Sequence, residues 1–474
     1  MPPSTSPTTD AQHVWREVAR AELSKRPVTE RVADFLETYL TLDETTAREQ
    51  AMRCVQCPNP VCVEACPLGN RVPDWLALTA EGQFLEGAQL LQSSSCLGEV
   101  FTRLCHEPCE ASCPVGGPGE PVAINAVERF LHQYAADHAP ERSARPAPNG
   151  YRVAVLDAGP CGLACAHDLA RQGYAVTVFD EHLVPGGLLV NGTPAFKLEP
   201  SMVERRVAHL RQLGVGFRLG IKLGTDLALA ELRAKFDAVF LGACAEQARP
   251  LTVPGAHLRG VFQGITFLVQ RNAGITLELP PIDVRNRRVL VLGVGDTGLD
   301  CLRTAIRAGA REALALHRGG EPDLPARRRE YAEAVEEGAR FEFFTEPAAV
   351  LGDEAGNVIA VRCRRLGRGE TSAVSAPREE AVTGSESTLP ADVVLIAFGF
   401  AAAPFIASGD FARLSASPEG RILVDANLMT DVPGVFAGGS LVRGDCRAVE
   451  SVRDARQAAR AIQRYLESLK TTTC

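Results

Sequence analysis

Two short runs of cysteine carry the most specific chemistry in this sequence. Cys54, Cys57, Cys62 and Cys66 form the first, which closes on Pro67; Cys105, Cys109 and Cys113 form the second, which closes on Pro114. Thiolates gathered this tightly, each run ending in Cys-Pro, are the ligand pattern of iron–sulfur clusters. Zinc favours paired Cys-x2-Cys knuckles, and here only Cys54 and Cys57 have that spacing. Disulfide frameworks belong to small secreted domains, whereas this chain has 474 residues. Cluster ligation is the expected chemistry, with zinc and disulfides as the alternatives.

Two further stretches have the form of dinucleotide-binding turns. Tyr151-Arg-Val-Ala-Val-Leu reads as a buried strand. It runs into Asp157-Ala-Gly159-Pro-Cys-Gly162, a helix, and a second strand ending in Asp180-Glu181. This is a strand–helix–strand fingerprint with an acidic residue about twenty positions past the turn, but its first glycine is replaced by Asp157. The second copy is complete. Arg288-Val-Leu-Val-Leu precedes Gly293-Val-Gly295-Asp296-Thr297-Gly298, a helix follows, and the next strand ends at His317-Arg318. Its three glycines serve the tight turn, the approach to pyrophosphate and the packing of helix on strand.

The remaining elements must hold these pieces in place. A helix is expected near Val32–Tyr39, from apolar residues at helical spacing, and another before Cys54. Helical segments are expected from Val72 to Leu91 and after Pro121. Residues 136–150, rich in Ala, Pro, Arg and Ser, read as a linker. Strands are expected at Asp392–Gly399 and Gly434–Gly439, and a long amphipathic helix at Ala448–Leu469. The net charge of −8 argues against a nucleic-acid surface. No apolar run is long enough to span a bilayer and the first ten residues lack the apolar core of a secretory signal, so the expected compartment is the cytoplasm.

Taken together, these motifs resemble the small (β) subunit of bacterial NADPH-dependent glutamate synthase and its relatives. Those relatives include the N-terminal half of dihydropyrimidine dehydrogenase and the large subunit of NADH-dependent ferredoxin:NADP oxidoreductase. The resemblance also rests on Pro185-Gly-Gly-Leu-Leu-Val-Asn-Gly-Thr-Pro-Ala-Phe-Lys-Leu and on Gly293-Val-Gly-Asp-Thr-Gly-Leu-Asp-Cys. It implies an α/β chain in which an α-helical domain with two [4Fe-4S] clusters precedes two Rossmann-like domains, the NADPH domain inserted in the FAD domain. The expected boundaries are a flexible tail at 1–28, the iron–sulfur domain at 29–148, the FAD domain at 149–285 and 389–474, and the NADPH domain at 286–388. One cluster would take Cys54, Cys57, Cys62 and Cys113. The other would take Cys66, Cys105 and Cys109, with Glu128 as a non-Cys fourth ligand; Cys96 lies outside the pattern. FAD would be held at Gly159, Gly162, Asp180, Glu181, Gly187, Leu188, Gly439 and Ser440, and NADPH at Gly293, Gly295, Asp296, Thr297, Gly298 and Arg318.

Arg318 stands where NAD-binding versions place a carboxylate, and an arginine attracts a 2′-phosphate instead. Arg303, Arg307 and Arg327–Arg329 are further candidates for that phosphate field. Lys197 is a candidate neighbour of the flavin ring, and His106 a candidate to tune a cluster. Cys161 and Cys165 read as packing residues, with a redox pair as the alternative. No side chain is needed as acid or base, because the chemistry resides in the cofactors. The implied partner is a protein carrying the second active site: a glutamate synthase large subunit, ferredoxin or another redox subunit. The FAD half departs from the family at Asp157, at Gly242-Ala243-Cys244 and at Gly439-Ser440, where a Gly-Asp usually holds the flavin. These departures motivate an alternative, a flavin-deficient relay or scaffold subunit.

Overall fold

The computed structural model describes residues 14–94, 96–139, 145–243, 247–272, 280–368, 379–401, 409–444 and 446–472. The expected departure at Cys244 lies outside them. The first nucleotide unit is built on the strand Arg152–Leu156, whose last four residues are buried, as a central strand of a parallel sheet covered on both faces requires. It pairs in parallel with Ala175–Asp180 on one side and Ala238–Leu241 on the other. Gly216–Leu219 and Val435–Ala437 complete a five-stranded sheet.

Between Leu241 and Val435 the chain leaves to build a second five-stranded parallel sheet. Its order is Val261–Gln263, Val393–Ile396, Arg288–Leu292, Glu312–Leu316 and Arg340–Glu342. The second unit is therefore inserted in the first. The two passages between units touch where Gln247–Ala248 pairs antiparallel with Phe400–Ala401. This sheet reaches past the 286–388 interval read from the sequence. Val393–Ile396 is a run of four buried aliphatic residues that would suit either sheet, and its hydrogen bonds to Val289–Leu292 place it in the second.

The cysteine block lies in a helical domain: Glu44–Met52, Val61–Ala65, Val72–Ala80, Phe84–Ser94, Gly98–Leu104, Pro108–Ala111 and Ile124–His138. Asp43 caps the first of these by accepting from Thr46 N at 2.7 Å. Trp75, Leu76, Phe84, Leu91, Val127, Phe130 and Leu131 form its core. The domain is seated on the first unit, since Leu97, Val100 and Phe101 share one core with Val153, Val155, Leu163 and the final helix, Ala448–Thr472.

Two expectations at the N-terminus are corrected. No helix spans Val32–Tyr39; a single turn at Val28–Arg31 is followed by irregular chain. The backbone there is engaged elsewhere, with Thr38 N donating to Phe196 O at 3.1 Å and Thr38 O accepting from Arg26 N at 3.0 Å. Residues 14–28, expected as part of a flexible tail, are tied down. Arg20 donates to Pro121 O and Glu110, Gln50 exchanges hydrogen bonds with Ala19 and Ala21, and Arg53 donates to Val18 O. Among the described residues, no helix is long and apolar enough to cross a membrane.

Candidate active site

Cys54, Cys57, Cys62 and Cys113 line one cavity, walled otherwise by apolar residues such as Val72, Leu76, Val122 and Ile124. Helix Glu44–Met52 delivers Cys54, and helix Val61–Ala65 carries Cys62. Burial pushes the Cys54 thiol up to about 12, and it raises Cys62 as well. The second group comes from the end of helix Val61–Ala65 (Cys66), the end of helix Gly98–Leu104 (Cys105), helix Pro108–Ala111 (Cys109) and helix Ile124–His138 (Glu128). Cys66, Cys105 and Cys109 each feel the Glu128 carboxylate. Burial pushes Cys105 up to about 11 and raises Cys109 further. Glu128 itself is pushed up to about 8, by burial and then by Glu110 and Glu107. Acidic groups crowded together and held neutral by burial are a donor set that a cationic metal core would ionise. Among the described residues, no three His, Cys, Asp or Glu side chains converge on a single-ion site. Four thiols lining one cavity, and three more beside Glu128, are a donor set that fits clusters. No disulfide joins cysteines among the described residues.

The two glycine turns have the same backbone. Asp157 has φ 89° and Gly293 φ 105°; Gly159 and Gly295, which cap the following helices, have φ and ψ of −76°, −172° and −75°, −176°. A Cβ on Gly162 would stand 1.8 Å from Asp157 O, and one on Gly298 2.1 Å from Gly293 O. Both third glycines therefore serve close packing of helix on turn. At Gly295 a Cβ would meet nothing within 4 Å, so that turn presents an open backbone, the cradle a pyrophosphate needs. The second turn thus fits a dinucleotide.

In the first unit Gly187 presses on the turn, since its Cβ would lie 3.0 Å from Gly159 Cα. Asp180 faces inward. Its Oδ2 accepts from Ala158 N at 2.5 Å and its Oδ1 from His182 N at 2.7 Å, so this acid locks the turn while Glu181 is exposed. Gly439 N donates to Asp454 Oδ2 at 3.3 Å, and Asp454 also takes Arg443 in an ion pair. On the helix Leu188–Asn191, the buried Asn191 amide has no hydrogen-bond partner among the described residues for either of its polar atoms. A buried amide of that kind is one a bound polar group would satisfy. The turn, the facing loop at Gly187 and the Asn191 amide are parts a flavin dinucleotide would use, and the Asp157 side chain accepts from Gly159 N at 3.0 Å beside them.

One pocket joins all three regions. Its wall includes Leu104, next to Cys105; Pro160, Leu188 and Ser440 from the first unit; and Asp296, Thr297 and Asp300 from the second. Lys197 lies in the same wall, buried and paired with Asp300 at 3.2 Å and Glu330 at 3.0 Å. Burial alone would lower the Lys197 ammonium, but the two carboxylates override it and raise it. Burial pushes Asp300 up to about 6. His106 follows Cys105 on the iron–sulfur loop; burial lowers its imidazole, and Asp296 of the second turn opposes that lowering.

Several sequence-level candidates fall elsewhere. Arg303 and Arg307 are buried in ion pairs with Glu337. Arg327 donates to Cys105 O at 3.0 Å and Arg103 O at 2.9 Å, and Arg329 pairs with Glu107 at 3.1 Å. Arg327 and Arg329 fasten the second unit to the iron–sulfur domain. Arg318 is exposed at the strand end, with Glu346 at 3.5 Å. Cys161 and Cys165 are buried in the core, and Cys161 donates to Ser451 O. Asp300 escaped the sequence reading. Its signal was there, four residues after Asp296 and so on the same helix face.

Residues 31–140 match the family described as dihydropyrimidine dehydrogenase domain II, 4Fe-4S cluster. Residues 151–462 match the pyridine nucleotide-disulphide oxidoreductase family. The chain is 36% identical to the glutamate synthase [NADPH] small chain of Escherichia coli, over 96% of this chain and 100% of that one. It is 37% identical to the small chain of Azospirillum brasilense, over 94% of each.

The chain belongs to the glutamate synthase small-chain family.

It is an NADPH-dependent oxidoreductase with an iron–sulfur domain and a pyridine-nucleotide domain of the flavin type. The family's reach is wider than one complex. The chain is also 31% identical to the NADP(+)-dependent formate dehydrogenase subunit beta of Moorella thermoacetica, over 87% of this chain and 60% of that one. Among solved structures, Mycobacterium tuberculosis FprA in complex with NADPH superposes with a TM-score of 0.57 at 17% identity, covering 68% of this chain and 86% of FprA. That likeness concerns the fold.

Proposed function

We propose that this glutamate synthase small-chain relative passes electrons between NADPH and a partner protein in the cytoplasm, using FAD and two [4Fe-4S] clusters. The shared pocket carries this reading, because one cavity wall contains residues of both glycine turns and the residue preceding Cys105. Flavin bound there supplies the conversion between a hydride pair and single electrons. The chain's own residues bind and orient. Gly295 leaves backbone room for the NADPH pyrophosphate in a turn shaped by Gly293 and Gly298, and Asp296 and Thr297 flank its nicotinamide end. Gly159, Gly162, Gly187, Leu188, Gly439 and Ser440 frame the flavin, with Glu181 in reach of solvent-side hydroxyls. Lys197, pinned by Asp300 and Glu330, keeps a fixed positive charge at the wall. Cys54, Cys57, Cys62 and Cys113 hold one cluster; Cys66, Cys105, Cys109 and Glu128 hold the other. The partner carries the second active site, as a large-subunit-like protein, a ferredoxin or another redox subunit.

The test is an anaerobic cofactor count. One FAD and about eight irons per chain, with bleaching when NADPH is added, is the expected result. Full iron without flavin or bleaching would instead select a relay or scaffold subunit. The Asp157 contact with Gly159 is the observation that favours this second reading.

Exposed Arg318 is assigned to the 2′-phosphate. Arg318→Ala is expected to raise KM for NADPH about tenfold or more, the loss of one charge-assisted hydrogen bond, with KM for NADH changed little. Equal changes for the two nucleotides would remove Arg318 from this role.

A further inference from the structure

The two glycine turns serve as each other's control. Their backbone angles agree at the first and second positions, and each third glycine packs against the carbonyl of the first. Asp157 N donates to Phe179 O at 2.8 Å, as Gly293 N donates to Leu316 O at 3.2 Å. What differs is the space over the second glycine. Over Gly295 it is open to 4 Å; over Gly159 the Asp157 Oδ2 stands 2.7 Å from a Cβ position. That oxygen accepts from Gly159 N at 3.0 Å. Asp157 Oδ1 lies 3.9 Å from the Cβ position of Gly187, on the facing loop. Asp157 is 7% exposed. A buried carboxylate thus holds a backbone N–H of the kind such turns offer to a nucleotide phosphate.

We infer that the Asp157 carboxylate is an internal occupant of the first unit's phosphate seat, so that a flavin dinucleotide binds this chain only by displacing it. The inference rests on the reading that the first unit takes the flavin. It assigns to Asp157 a specificity role that acts on the pyrophosphate and leaves the ring pocket alone. The positive φ is no obstacle to removing the side chain, because glycine is at ease there.

The test measures dissociation constants for FAD and for riboflavin, which has no phosphate. It uses the full chain with its clusters, as wild type, Asp157→Gly and Asp157→Asn. FAD is expected to bind about a hundredfold tighter, or more, to Asp157→Gly, and about tenfold tighter to Asp157→Asn, which removes only the charge. Riboflavin should bind all three alike, and so should NADPH, which reports on the fold. FAD affinity equal in all three chains overturns the inference while leaving the flavin function standing. Riboflavin tightening as much as FAD also overturns it, since the effect would then be one of pocket shape. If no chain binds any flavin, the inference falls together with the flavin step of the proposed function.

Discussion

Cys109→Ala is expected to lower iron from about eight to about four per chain and to abolish electron delivery to a one-electron protein acceptor. Cys109 is half-buried beside Glu128, Cys105 and Cys66, the group nearer to the shared pocket through Leu104. In the proposed function, losing that cluster breaks the route between pocket and partner. The control is Cys96→Ala, which removes a thiol packed against the core beside the first unit and should leave iron at about eight per chain. Iron and acid-labile sulfide counts on the two variants decide the matter. A Cys109→Ala chain with full iron and undiminished delivery would exclude Cys109 from the ligand set. A loss of iron in both variants would point to general destabilisation.

Glu337→Gln is expected to destabilise the chain by about 3–5 kcal/mol at pH 7, the range for breaking a buried charge cluster. The Glu337 side chain is fully buried between Arg303 and Arg307, with four hydrogen bonds of 2.6–3.0 Å. The two guanidiniums lie over Phe196 at 4.6 and 3.9 Å. Burial opposes the charge, but the two arginines pull the carboxyl from 4.5 down to about 2. A lowered folded-state value gives stability that is present above pH 4.5 and is lost as pH falls through 2. The shift is worth about 3 kcal/mol. Urea unfolding of wild type and variant, compared at each pH, cancels the acid loss of the clusters common to both. The gap between them should shrink as pH falls from 7 to 3. A gap that stays constant would mean that Glu337 acts by shape alone.

These ion pairs also show where sequence reading reaches its limit. Arg303 and Arg307, one helical turn apart beyond a nucleotide-binding turn, have the spacing of a phosphate field. Their partner Glu337 is thirty or more positions away, and only the folding of helix Arg328–Glu336 onto helix Asp296–Arg307 brings it between them. Lys197 likewise was a candidate neighbour of the flavin ring by its motif alone, and only the fold sets Asp300 and Glu330 on both sides of it.

The sequence by itself determined the cofactor classes and the order of the units. Closely spaced cysteines closed by proline and glycine turns between buried strands are local patterns, and the chemistry they serve is local too. Strand–turn–helix units were legible for the same reason, since four or five buried aliphatic residues followed by glycine can form little else. Tertiary structure decided what depends on distant pairings. It assigned Val393–Ile396 to the second sheet through hydrogen bonds to Val289–Leu292. It fastened residues 18–21 onto the iron–sulfur domain and brought Leu104, Pro160 and Asp296 to one pocket. It also decided the meaning of Asp157. In sequence that residue is a carboxylate in place of the first glycine, whose direction relative to a phosphate the sequence does not give. In the fold the backbone keeps the glycine's conformation, and what changes is a carboxylate set over Gly159, because side-chain direction is a property of three-dimensional packing.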